Sequence, residues 1–220
     1  MTDMNVVVVM PAFKAREHII EVLTQIPDFV SKVFIIDDAC PDETGKHVQL
    51  QLKDKRFEVV FNERNLGVGG AVIVGLRKAL ENEADVIVKM DSDGQMDPAD
   101  ITRIIDPITT GQADYAKGNR FNSLDDLQEM PRARILGNAV LSLMSKLSTG
   151  YWSITDPTNG YFAFSRKALE NINLDKLRQR WFFESDILFR LSIIRAVVAD
   201  VPIRAKYASE KSNLKIRKVI

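Results

Sequence analysis

The stretch DVIVKMDSDGQMDP, residues 85–98, carries an apolar run into an acidic turn and then into a helix start. Residues 85–90 have the length and apolarity of a strand buried on both faces. Asp97 before Pro98 reads as an N-cap with proline at the first helical position, so a helix is predicted over 98–110. The same order of short apolar run, polar end and longer stretch of helical period recurs on both sides. Strands are expected at 5–10, 33–37, 57–61, 114–118, 161–164 and 196–201, and helices at 17–25, 44–52 and 70–82. Strands alternating with helices predict a single α/β domain whose central sheet is mostly parallel and flanked by helices, in a Rossmann-like manner.

Composition agrees. The chain has 220 residues, 30 Lys+Arg against 30 Asp+Glu, 45% hydrophobic and 27% charged residues, which excludes disordered and collagen-like classes. A chain of this length buries on the order of 70% of the surface its unfolded form exposes, so no disulfide or structural metal is required. The one cysteine, Cys40, cannot form an intramolecular disulfide, and a cytoplasmic, reducing setting is expected. Zero formal charge gives no global attraction to nucleic acid, so no nucleic-acid partner is expected and any anion must be held locally. Residues 1–5 lack the pattern of a signal peptide, and no run of eighteen apolar residues spans a bilayer. Residues 206–220 differ in character: Lys206, Lys211, Lys215, Arg217 and Lys218 face one acid, Glu210, with apolar residues between them. Such a tail suits either an anionic membrane surface or a solvated end.

In open α/β sheets, ligands bind beyond the carboxyl ends of the strands. Asp91 and Asp93 flank one residue there, so extended backbone sends both carboxylates to one side, with Gln95 two residues on. Like charges so close call for a cation, and hard oxygen ligands suit Mg²⁺ or Mn²⁺ completed by water and phosphate oxygens. A solvated acidic turn is the alternative. With only His18 and His47 in the chain, and one cysteine, a zinc site is not expected. Gly67, Gly69 and Gly70 precede a helix, as in a phosphate-cradling turn, but no Lys-Ser/Thr follows, so this is no Walker loop; a tight turn feeding a helix explains them as well.

Taken in order, Pro11-Ala12-Phe13, Asp37-Asp38, Asn65-Leu66-Gly67-Val68-Gly69-Gly70-Ala71 and Asp91-Ser92-Asp93-Gly94-Gln95-Met96-Asp97-Pro98 resemble family-2 glycosyltransferases. The likeness is nearest to the polyprenol-phosphate sugar transferases of the dolichyl-phosphate mannose synthase type. It implies a GT-A catalytic domain over 1–205, with 206–220 as a donor-covering and membrane-proximal tail. It also implies Asp91, Asp93 and Gln95 as metal ligands, and Pro11, Ala12, Phe13, Asp37 and Asp38 around base and ribose. Asn65, Gly67, Gly70, Ser92, Arg134 and Lys211 would lie toward the nucleotide and its diphosphate. The donor implied is a GDP- or UDP-sugar and the acceptor a polyprenyl phosphate at the cytoplasmic membrane face. Where family members often read Pro-x-Tyr-Asn-Glu, this chain has Phe13-Lys14-Ala15, so a carboxylate near the nucleotide is missing.

By the same resemblance, Arg120 and Arg134, with Asn138, would grip phosphate, as a planar guanidinium does well. Asp156 would stand near the reacting centre, and Glu184 and Asp186 would orient the donor sugar unless they serve only the start of a helix at 185–194. Relatives that glycosylate a hydroxyl commonly carry a general base where this chain has Ser185. A phosphate acceptor is already ionised near neutral pH and needs none. A soluble sugar or protein hydroxyl as acceptor, or a non-catalytic nucleotide-binding module, are the rival functions. The stripe Leu136, Val140, Leu143, Met144 and Leu147 has helical spacing and is expected to pack in the core, a lipid-contacting face being second.

Overall fold

The computed structural model of the chain describes residues 4–121, 132–180 and 182–203, with 132–136 described by backbone alone. Seven strands form one sheet: β1 (Val6–Ala12), β2 (Val30–Asp37), β3 (Phe57–Phe61), β4 (Val86–Lys89), β5 (Tyr115–Asn119), β6 (Phe162–Ser165) and β7 (Val198–Pro202), in the order β3-β2-β1-β4-β6-β5-β7. All neighbours run parallel except β6, which is antiparallel to both β4 and β5. The helices are α1 (Ile19–Thr24), α2 (Thr44–Gln51), α3 (Gly67–Glu81), α4 (Ile101–Thr109), α5 (Arg132–Thr149), α6 (Arg166–Glu170) and α7 (Phe183–Ile193). Between β4 and α4 the Asp97 side chain caps a 3₁₀ turn, Pro98–Asp100, by accepting from the Ala99 N–H at 3.0 Å, as the Asp-Pro pair requires.

Alternation in the strands divides the core. Val6, Val8 and Met10 join Ile19, Leu23, Val48, Ile101 and Ile104 on the face covered by α1, α2 and α4. Val7 and Val9 join Val72, Leu76, Leu169, Phe183 and Leu188 on the face covered by α3, α6 and α7. Isoleucines at 101, 104, 105 and 108 are the buried stripe of α4.

The stripe on α5 departs from expectation. Both sheet faces are already covered, so α5 packs against α7 and turns Val140, Leu143, Met144 and Leu147 outward, the side chain of Leu136 lying outside the described residues. Leu143 is 53% and Leu147 69% exposed among the described residues, with Val140 and Met144 also exposed. Helical spacing records that a face is apolar and not what it meets.

Because β1 lies between β2 and β4, the chain's connections diverge at the carboxyl ends of β1 and β4. A crevice opens at such a reversal, and the polar segments 11–14, 37–42 and 91–95 converge there.

Candidate active site

Three hydrogen bonds lace the strand ends together. The Ser92 hydroxyl donates to the Pro11 carbonyl at 2.8 Å, the Asp38 N–H to the Ala12 carbonyl at 3.2 Å, and the Asn62 N–H to the Asp37 carbonyl at 2.9 Å. Pro11 and Ala12 are buried, while the Phe13 ring is exposed with the Lys14 ammonium 5.7 Å from its centroid. Lys14, Ala39 and Glu43 all have positive φ, at 58°, 51° and 56°. Left-handed backbone at non-glycine residues costs on the order of 1 kcal/mol each and tends to gather at functional loops. The Cys40 thiol is held within this turn, accepting from the Lys14 N–H at 2.9 Å and donating to Asp42 Oδ1 at 2.6 Å.

The Asp37-Asp38 pair divides between two helices. Asp37 Oδ1 accepts from the Cys40 N–H at 2.8 Å and Oδ2 from the Gly45 N–H at 2.7 Å, in the first turn of α2. Asp38 accepts from Asn62 Nδ2 at 2.8 Å and from the N–H groups of Leu66 and Gly67, both at 2.9 Å, at the start of α3. A carboxylate there satisfies orphan donors and complements the helix dipole. Asn65 bonds the Asp38 carbonyl through Nδ2 at 3.2 Å and accepts from the Gly67 N–H at 3.2 Å.

The glycine-rich turn therefore differs from an open phosphate cradle: two of its leading N–H groups are occupied by Asp38. Gly67 and Gly69 have a packing reason as well, since a Cβ at either would lie 2.9 or 2.7 Å from the carbonyls of Gln179 and Arg178. The Gly70 N–H donates to the Gln179 carbonyl at 3.1 Å. The turn docks segment 178–180, and so α7, onto α3.

At the end of β4, Asp91 and Asp93 are both partly exposed. Asp93 Oδ1 accepts from the Gln95 N–H at 3.0 Å, closing the turn around Gly94, whose φ is +80°. Asp91 Oδ1 accepts from Lys89 Nζ at 2.7 Å. Gly160 lies directly against this pair: a Cβ there would sit 2.5 Å from Lys89 Nζ and 2.9 Å from Asp91 Oδ2. Among the described residues no group of three or more His, Cys, Asp or Glu side chains converges as a metal cage. Two carboxylates and the Gln95 amide form a partial set of hard oxygen donors. That set fits an ion such as Mg²⁺ or Mn²⁺ that takes its other ligands from water and phosphate, and does not fit zinc.

Behind this turn lies a buried charge cluster that the strand-end reading did not include. Lys89 on β4 and Lys117 on β5 both pair in register with Phe162 on the intervening β6. Their ammonium groups lie 5.9 and 5.5 Å from the Phe162 ring centroid, and both side chains are wholly buried. Lys117 Nζ donates to the Asn159 carbonyl at 2.6 Å. Burial pushes the Lys117 ammonium down to about 8, opposed in part by the charges of Glu184 and Asp156. Burial likewise raises Glu184, and the two lysines oppose that shift. The signal was present as a lysine inside each of two apolar strands, 85–90 and 114–118, where only a compensated charge is tolerated.

Arg120 and Asp156 form a bidentate pair, Nε to Oδ2 at 2.7 Å and a terminal nitrogen to Oδ1 at 3.1 Å, with Asp156 wholly buried. The structure thus brings Asp156 to the end of β5 as the partner that aims the guanidinium. Glu184 and Asp186 part company, because residues two apart on a helix do not share a face. Asp186 accepts from the Arg178 N–H at 2.9 Å and from Arg190 Nε at 3.2 Å, tying down the start of α7, whereas Glu184 makes neither bond and feels the charges of Lys89 and Lys117. Arg134 lies in the first turn of α5, and Asn138 one turn on lines a groove of about 430 Å³ with Phe121, Leu143, Lys146 and Trp152. Lys211 and the tail 206–220 lie outside the described residues.

Strand order, the crevice at the β1/β4 reversal and an acidic turn facing it define an open α/β protein whose polar strand ends gather where ligands bind in such sheets. Residues 7–172 match the glycosyl transferase family 2 model, and the chain belongs to that family. It is 30% identical to the UDP-N-acetylglucosamine–dolichyl-phosphate N-acetylglucosaminyltransferase of Methanococcus voltae, over 94% of this chain and 88% of that one. It is 31% identical to the undecaprenyl-phosphate mannosyltransferase of Micrococcus luteus, over 91% and 83%. Glucosyl-3-phosphoglycerate synthase from Mycobacterium tuberculosis, solved with Mn²⁺, UDP and glucosyl-3-phosphoglycerate, superposes with a TM-score of 0.71 at 18% identity, over 94% of this chain and 73% of that one. The fold is accordingly GT-A.

Proposed function

We propose that this chain is an inverting glycosyltransferase that moves a sugar from a GDP- or UDP-sugar to a polyprenyl phosphate at the cytoplasmic face of a membrane. The single structural observation that carries the choice of acceptor is the apolar groove between Phe121, Leu143 and Trp152, whose Phe121 ring lies 6.0 Å from the Arg120 guanidinium and which continues into the exposed face of α5. A lipid phosphate needs an apolar track next to a cation, and a soluble sugar does not. Similarity to two lipid-phosphate sugar transferases over most of the chain supports the same reading.

Asp91, Asp93 and Gln95 would hold Mg²⁺ or Mn²⁺, which when bound supplies charge neutralisation to the departing diphosphate. Phe13 offers its exposed ring to the base. Arg120, aimed by Asp156, and Arg134 bind phosphate oxygens, and Lys211 covers the diphosphate. The acceptor phosphate oxygen attacks the anomeric carbon as the C–O bond to the diphosphate breaks, inverting that centre. Ser185, where a base would otherwise stand, fits an acceptor that arrives ionised.

Among the described residues no helix is long and apolar enough to cross a membrane, so contact through α5 is proposed as peripheral. The test is a donor screen of GDP- and UDP-sugars with Mn²⁺ against undecaprenyl phosphate and simple sugars. Lipid-linked product is expected, and Asp93→Ala is expected to abolish it. Product on free sugars alone would transfer the assignment to the soluble-acceptor class, and unchanged turnover in Asp93→Ala would remove the metal.

A further inference from the structure

We propose that Lys117 is a positioning residue for the acceptor phosphate: from inside β5 it fixes the turn 156–160 and, through Asp156, the aim of the Arg120 guanidinium. This rests on the proposed role of Arg120 in gripping that phosphate. Three observations carry it.

First, one strand and one turn meet at two points. Lys117 lies within β5 and Arg120 directly after its end, while Asp156 and Asn159 both belong to the turn that leads into β6. Lys117 Nζ donates to the Asn159 carbonyl at 2.6 Å, and Arg120 donates to Asp156 from Nε at 2.7 Å and from a terminal nitrogen at 3.1 Å. One contact would let the turn pivot about it; two from the same strand set its orientation as well as its distance. Where the turn enters β6, the Gly118 N–H adds a bond to the Tyr161 carbonyl at 2.9 Å.

Second, the turn holds itself weakly. Pro157 has no N–H to give, the Asn159 N–H lies 3.4 Å from the Asp156 carbonyl, and the Thr158 hydroxyl lies 3.4 Å from Asp156 Oδ1. Both distances are at the long limit of a hydrogen bond. The bond from Lys117 is short and charge-assisted, so it is the firmer constraint on the segment that carries Asp156. Third, Lys117 has no access to substrate, because its side chain is wholly buried beside the Phe162 ring. A methionine would fill the same space without the cost of burying an ammonium. What the lysine adds is a directed bond to one backbone carbonyl, and that carbonyl belongs to the turn that aims Arg120.

The test is steady-state kinetics of Lys117→Met, Arg120→Met and the double variant with undecaprenyl phosphate and the nucleotide sugar. Misplacing a binding group by about 1 Å costs up to roughly a hundred-fold, so Lys117→Met should raise the KM for undecaprenyl phosphate about ten-fold or more. The KM for the nucleotide sugar should stay within about two-fold. In the Arg120→Met background the same substitution should add less than about two-fold, because the group it aims is gone. A lysine with a merely structural role would weaken donor and acceptor alike, and would do so again in the double variant. An unchanged acceptor KM in Lys117→Met, or losses that multiply in the double variant, overturns the proposal. Arg120→Met separates the two layers: if it leaves the acceptor KM unaltered, the phosphate role of Arg120 fails and the proposal falls with it. If Arg120→Met weakens the acceptor and Lys117→Met does not, the positioning role alone is lost. Should Lys117→Met fail to fold, Asn159→Ala loosens the same turn by removing the Oδ1 that accepts from the Tyr161 N–H at 2.9 Å, and the same acceptor-selective loss is expected. A crystal structure of either variant gives a reading independent of turnover. At least one of the Arg120–Asp156 contacts should lengthen beyond about 3.5 Å, and a bidentate pair retained at its wild-type distances refutes the positioning.

Discussion

Asp156→Ala removes a carboxylate whose surroundings permit a worked estimate. Asp156 is wholly buried and holds Arg120 at 2.7 and 3.1 Å, with longer contacts of 3.4 Å from the Arg120 N–H and the Thr158 hydroxyl. Breaking a buried ion pair by deleting one partner costs about 3–5 kcal/mol, because the remaining charge stays desolvated. The Arg120 side chain keeps 16% exposure and reaches some water, which places the expected loss near the lower end, about 3 kcal/mol. Against a total of roughly 5–15 kcal/mol the protein still folds. At about 2–4 °C per kcal/mol for a chain of this size, the melting temperature should fall by about 6–12 °C. Urea denaturation with a common m-value, run as a double-mutant cycle with Arg120→Met, isolates the pair, and the coupling should be about 2 kcal/mol or more. Loss of transfer should exceed what the melting shift explains, because the guanidinium is no longer aimed. A destabilisation under about 1 kcal/mol with no coupling to Arg120 would show that the pair is not the structural unit argued above.

Asp38→Ala leaves the Leu66 N–H and the Asn62 amide without their acceptor and the Gly67 N–H with Asn65 Oδ1 alone, and should cost about 3 kcal/mol while hydrogen exchange quickens at the start of α3; undiminished protection at Leu66 counts against the cap. Lys117 supplies a pH signature. Its folded value of about 8 lies below the unfolded ~10.4, so below pH 8 both states are protonated and the folded state bears the full burial cost. Between about pH 8 and pH 10 the unfolded chain holds more protons, and stability should rise with pH in the wild type relative to Lys117→Met; a flat difference excludes the shift. Leu143→Glu with Leu147→Glu alters two exposed side chains, so folding stability should change little, while sedimentation with anionic vesicles should drop about ten-fold or more. Equal sedimentation by the double variant would move membrane contact away from α5.

Local sequence determined much of this protein: the strands, the Asp97 cap, the acidic turn at the end of β4 and the motifs that mark the family are all read from neighbours a few residues apart. Each depends on backbone periodicity, capping or turn chemistry, which act over one or two turns of chain. Tertiary structure alone decided what each polar group meets. Asp37 and Asp38 are adjacent, yet one bonds the start of α2 and the other the start of α3, because β2 ends between those helices. Glu184 and Asp186 look equivalent in sequence, yet once α7 is docked Asp186 bonds Arg178 and Arg190 while Glu184 lies in the field of Lys89 and Lys117. The apolar stripe of α5 reads as core and stays outside because other helices already cover the sheet. Lys89 and Lys117, separated by 28 positions, meet across one phenylalanine only after antiparallel β6 inserts between their strands. Charge pairing and burial are set by contacts between distant segments, and those exist only when the sheet order exists.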